Sequence, residues 1–73
     1  MPNSGACARL KSLRSSLETE INSLESQRSA IQTKIANGTA SDVELQQAEL
    51  LSAAIAAKVW DKLMVENELG GLA

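Results

Sequence analysis

Histidine, phenylalanine and tyrosine are absent from this 73-residue chain, and tryptophan, cysteine and proline each occur once. Without histidine no side chain has an ordinary pKa near neutrality, so general acid–base catalysis lacks its usual agent. Cys7, being alone, cannot close an internal disulfide. It stands near Arg9 and Lys11, but with neither a base nor an orienting group beside it the expectation is a bystander thiol. Glu18 and Glu20 point to different faces of a helix and do not form an acid/base couple. No cluster has zinc or calcium ligand spacing. The sequence predicts no enzyme, no metal and no cofactor.

Other scarcities narrow the field further. A net charge of −2 argues against nucleic acid or an anionic membrane as the main partner. Apolar runs fall well short of the ~20 residues that span a bilayer. No basic segment followed by an apolar core marks a signal peptide at the N-terminus. The expected setting is soluble and cytoplasmic. With so few aromatics, Leu, Ile and Ala must build any core, and a chain of this length gains only ~3–5 kcal/mol from one.

Helix-forming sequence, by contrast, is abundant. Residues 1–7, with Pro2 and Gly5, read as a lead-in in which Ser4 is a candidate N-cap. From Ala8 to Ala36 nothing breaks a helix, and Leu10, Leu13, Leu17, Ile21, Leu24, Ile31 and Ile35 recur at gaps of three and four, with Arg28 bridging the one long gap. The two successive gaps of four (13, 17, 21) form a stutter, which predicts against a long regular supercoil. Arg28 either lays its stem along the stripe with its head in water, or pairs with Glu25 or Glu49 to fix register.

Residues 37–41, Asn-Gly-Thr-Ala-Ser, interrupt the pattern. Asn37 or Gly38 can take the left-handed conformation that ends a helix. Ser41-Asp42-Val43-Glu44 has the Ser-x-x-Glu form of a capping box. A second helix is then expected over 42–69, stopped by Gly70-Gly71, with 70–73 as a tail. Two helices of about 40 Å each across a short connection make an αα-hairpin. Charge agrees with this. Arg9, Lys11 and Arg14 begin the first helix, and Asp61, Glu66 and Glu68 end the second, each the unfavourable sign for its helix end. Folding the chain about residue 39 brings the two clusters side by side. The predicted fold is all-α, a two-helix antiparallel hairpin over 8–69, completed by oligomerisation or a partner chain.

The most telling segment is residues 50–60, Leu-Leu-Ser-Ala-Ala-Ile-Ala-Ala-Lys-Val-Trp. On a helix its apolar members point nearly everywhere: Leu50, Ala54 and Ala57 one way, Leu51 and Ile55 another, Val59 and Trp60 a third. A helix apolar on all sides must be covered on more than one side, and this chain has too little surface of its own for that. The candidate protein interface is therefore Leu50, Leu51, Ala54, Ile55, Ala57, Val59, Trp60 and Leu63, with Lys58 and Lys62 as solvated positions. Trp60 is either an interface anchor or the core anchor of the hairpin.

Ala8-Arg9-Leu10, Lys34-Ile35-Ala36-Asn37-Gly38, Gln46-Gln47 and Leu51-Ser52-Ala53-Ala54-Ile55 together resemble the small helical-hairpin co-chaperones of bacterial type III secretion, over about residues 8–65. The resemblance implies a non-catalytic hairpin that keeps a needle subunit unpolymerised in the cytoplasm. Needle and inner-rod subunits of those machines are similar in pattern, which implies the alternative of a self-assembling filament subunit, secreted without a cleavable signal. A third possibility is a copy-control-like bundle binding paired RNA. It would need a basic stripe, and Arg9, Lys11, Arg14 and Lys34 are scattered and partly answered by acids. The expected partner is a protein, another chain or a second copy, with no nucleic acid and no membrane insertion.

Overall fold

The computed structural model describes residues 4–72. Two helices, α1 (Ser4–Ala36) and α2 (Asp42–Leu72), run antiparallel and form a rod of 56 × 15 × 14 Å. No strand occurs among the described residues. The protein is an all-α helical hairpin.

The turn is built by local chemistry. Gly38 has φ +70°, a conformation that costs other residues steric strain at Cβ. This lets its amide donate to the Ile35 carbonyl at 3.1 Å and the Thr39 amide to the Lys34 carbonyl at 2.9 Å. These two bonds are the Schellman pattern and satisfy carbonyls orphaned at the end of α1. Three residues after Gly38 the capping box forms in both directions: the Glu44 amide donates to Ser41 Oγ at 3.2 Å, and the Ser41 amide donates to Glu44 Oε1 at 3.1 Å. The same carboxylate takes Lys34 Nζ at 2.6 Å through its other oxygen, tying the end of α1 to the start of α2.

Each helix offers one seam to the other. On α1 the residues drawn from solvent include Cys7, Leu10, Arg14, Leu17, Ile21, Leu24, Arg28 and Ile31; on α2 they include Glu44, Ala48, Leu51, Ile55, Lys58, Lys62, Val65, Leu69 and Leu72. Both series alternate gaps of four and three without a break, the repeat of paired coiled-coil helices. The stutter expected in α1 is therefore corrected: Leu13 is 48% exposed, and Arg14 occupies the seam. A guanidinium stem can cover an apolar neighbour while its head stays wet, so the repeat is kept at the cost of a leucine left on the flank. Ile35, also expected on the stripe, is exposed beside the turn. Among the described residues the buried ones are Leu17, Ile21, Ile55 and Val65, a small core at the middle and far end of the rod.

Lys58 and Lys62, expected in solvent, are likewise half-buried on the seam. Their ammonium groups reach across to Glu20 at 2.7 Å and Glu18 at 3.6 Å, and Lys62 also meets Glu66 of its own helix at 3.9 Å. Pairs this open to solvent add little to stability. Their larger effect is on register, because both cross-helix pairs are centred on residues 39–40, as is Lys34–Glu44. The charged clusters at the open end meet only in part: Arg9 and Glu68 line one groove with Ala6, Leu10 and Leu72, while Glu66 turns to Lys62.

That groove also explains the helix ends. α1 begins at Ser4, four residues before the expected Ala8, and α2 runs through Gly70-Gly71 to Leu72 instead of stopping at Leu69. Leu72 is half-buried and lines this groove with Ala6 and Leu10, and drawing its side chain from solvent there favours helical backbone that glycine alone disfavours. Met1–Asn3 of the expected lead-in, Pro2 among them, and Ala73 of the expected tail lie outside the described residues.

Candidate protein-interaction surface

Helical geometry divides the eight residues expected at an interface. Leu51 and Ile55 belong to the seam; Ile55, at 6% exposure, is fully enclosed by the hairpin itself. Ala54 is half-buried at the edge of the seam, in a groove with Thr19, Ser23 and Leu24. Leu50, Ala57, Val59, Trp60 and Leu63 stay exposed, Leu50 at 70% and Trp60 at 64%. Trp60 is thus no part of the intramolecular core.

The exposed apolar residues are not scattered. Val43, Leu50, Ala57 and Met64 recur every seven residues and, with no charge among them, run along most of α2 on the side away from α1. Interleaved at gaps of three and four stand Gln46, Ala53, Trp60 and Asn67, so that a second heptad seam lies back to back with the first. Polar amides mark its ends and apolar side chains its middle. Nothing in the hairpin covers it. Single exposed apolar residues are ordinary; here they are aligned in one stripe along the helix.

The residues bordering this stripe carry charge of one sign. On one side stand Asp42 and Glu49, on the other Asp61 and Glu68, all exposed. The two lysines of α2 are committed to Glu20 and Glu18 on the opposite face. Glu20 raises the pKa of Lys58, chiefly through its hydrogen bond and then through its charge. At the turn, the hydrogen bond from Lys34 and the amide of Ser41 lower the pKa of Glu44.

Arg28 pairs with neither Glu25 nor Glu49 as a register lock. Its stem lies on the seam, Nη1 donates to Ser52 Oγ at 3.3 Å, and Nε is buried without a protein acceptor. Cys7 is a half-buried free thiol on α1. Among the described residues no group of three His, Cys, Asp or Glu side chains could hold a metal ion, and no helix is long and apolar enough to cross a membrane. Three open grooves lie along and beside the seam, and a further one lies on α1 at Ser12, Ser15, Ser16, Thr19 and Glu20.

Sequence reasoning found the apolar excess of α2 but not its order. Val43 and Met64 were outside the expected interface, and the acidic border was not seen. The signal was present in the seven-residue recurrence of Val43, Leu50, Ala57 and Met64, which shows once the seam residues are set aside. No protein-family profile, curated protein or solved structure matches the sequence.

Proposed function

We propose that the protein is a non-catalytic protein–protein interaction module, a cytoplasmic helical hairpin whose outer α2 face is covered by another chain. One observation carries this: the uncovered stripe of Val43, Leu50, Ala53, Ala57, Trp60 and Met64, repeating with coiled-coil spacing. Burying such side chains is worth about 1.5–3 kcal/mol for each large one, which is substantial beside a hairpin core of four enclosed residues. A chaperone-like role of the type III secretion kind fits, since a hairpin with one free apolar seam can cap the matching seam of a client helix. Size-exclusion chromatography with light scattering, on the chain alone and with candidate clients, tests the proposal. A species heavier than the monomer is expected; a fully helical monomer at micromolar concentration, indifferent to every client, would overturn it.

A filament subunit is the second reading. Leu45 and Val59 lie on a separate, partly exposed flank of α2, so the hairpin offers more than one apolar contact direction, as a heterologous array requires. Electron microscopy separates the two, with fibres that lengthen with concentration on one side and discrete complexes on the other.

A further inference from the structure

We infer that the occupant of the outer α2 stripe is a basic amphipathic helix of another protein, with apolar residues along its contact edge and Lys or Arg on both flanks. The inference rests on the interaction-module reading above and adds the chemistry of the partner. The stripe from Val43 to Met64 is about 32 Å long at 1.5 Å per residue, so it accommodates a helix of about six turns. Its middle is small, at Ala53 and Ala57, and large side chains stand on either side at Leu50 and Trp60. A partner helix therefore approaches most closely at the centre and places its own large apolar residues over the two alanines.

The border decides the sign of the partner. Positions flanking a heptad seam face the flanks of the incoming helix and select it by charge. Here the charged residues at those positions are Asp42, Glu49, Asp61 and Glu68, the others (Gln47, Ala54, Ala56 and Leu63) being uncharged, with no cation among them. A second copy of α2 brings only further acid to the border in either orientation, so no cross-copy ion pair forms there. The outer face of α1, lined by Ser12, Ser15, Thr19, Ser23 and Ser26, offers no apolar edge to a second copy either. A helix with basic flanks satisfies both the apolar stripe and its border.

The single tryptophan makes the test direct, because Trp60 lies on the stripe and reports its covering. The full chain is titrated with two synthetic helices of about 21 residues that lack tryptophan and share leucines along one edge, one with lysine on its flanks and the other with glutamate. The lysine peptide is expected to shift Trp60 emission to the blue and to bind on the order of tenfold more tightly than its twin, with the gap closing as salt is raised. The double variant Glu49→Lys, Asp61→Lys, checked for helicity by circular dichroism, should reverse the preference. Equal binding, or preference for the glutamate peptide, overturns the basic partner while leaving the apolar docking surface in place. If neither peptide binds, light scattering distinguishes the remaining cases. A dimer with blue-shifted Trp60 means that a second copy fills the stripe, which sinks this inference and spares the module. A monomer with solvent-exposed Trp60 sinks both.

Discussion

The outward faces of the two helices differ more than any other two regions of the molecule. Both helices use the same four-and-three repeat to meet each other, and both are about 31–33 residues long. Away from the seam, α1 carries Ser12, Ser15, Ser16, Thr19, Asn22, Ser23, Ser26, Ser29 and Thr33, small polar side chains with no formal charge. Thr19 and Thr33 turn their hydroxyls back onto the carbonyls of Ser15 and Ser29 at 3.1 Å, which keeps that face closed on itself. The outward face of α2 instead carries Val43, Leu50, Ala53, Ala57, Trp60 and Met64. Secondary structure and pairing are thus indifferent to what the outer positions hold. Those positions are free to vary in chemistry, and only α2 fills them with large apolar side chains.

The largest expected effect removes the frame that holds the two faces apart. Ile55→Ala deletes an enclosed seam side chain at a typical cost of ~2–5 kcal/mol, and with so small a core the variant should lose cooperative thermal melting by circular dichroism. Second comes a direct contrast between the faces. Leu50→Glu should abolish any heavier species in light scattering while leaving monomer helicity intact, whereas Ser23→Glu on α1 should leave both unchanged, within about 0.5 kcal/mol in stability. Equal loss from both substitutions would erase the distinction. Ala57→Gln sharpens it: because Ala57 is exposed in the hairpin, assembly should weaken by overpacking, about 1–3 kcal/mol, with the melting temperature of the monomer retained.

Smaller effects belong to the turn, which both faces share. Gly38→Ala meets open space around its Cβ, so only the left-handed backbone is penalised, by ~1–2 kcal/mol, and the melting temperature should fall accordingly. Smallest is a pH effect. The Glu44 carboxyl titrates below its ordinary range because Lys34 and the Ser41 amide bind its ionised form. Its contribution is therefore complete above the unfolded value near 4.5 and is lost as pH falls through the lower folded value. Thermal melts between pH 6 and pH 3, roughly the carboxylate range, should show a decline that Glu44→Gln reduces.

Much of this was legible in the sequence, for reasons that differ by residue. Asn37-Gly38 and Ser41-x-x-Glu44 are turn and cap chemistry that acts within a few residues, so the turn at 37–41 could be read without knowing the partner helix. The choice between Leu13 and Arg14 could not, because hydropathy favours leucine while the unbroken repeat of the whole seam favours position 14. The same holds at Gly70-Gly71: local propensity stops the helix there, but Leu72 lines a groove with Ala6 and Leu10, nearly the whole chain away in sequence. At the candidate surface, Leu50, Ala57 and Trp60 were visible as apolar excess. That Ile55 and Leu51 would be consumed by α1, leaving Val43 and Met64 in their place, depended on which of two equally apolar edges the first helix takes.

Ala6 and Leu72 share one pole of the rod, and the Gly38 turn forms the other. That arrangement makes the molecule mechanically anisotropic. Tension between the two helices at the open pole peels the seam apart one layer at a time, beginning with the groove that holds Arg9 and Glu68, so only a single layer resists at any moment. Tension between that pole and the turn loads every layer in parallel. A hairpin anchored at its open pole is therefore soft to splaying and stiff along its axis, like a clothes peg gripped by its legs.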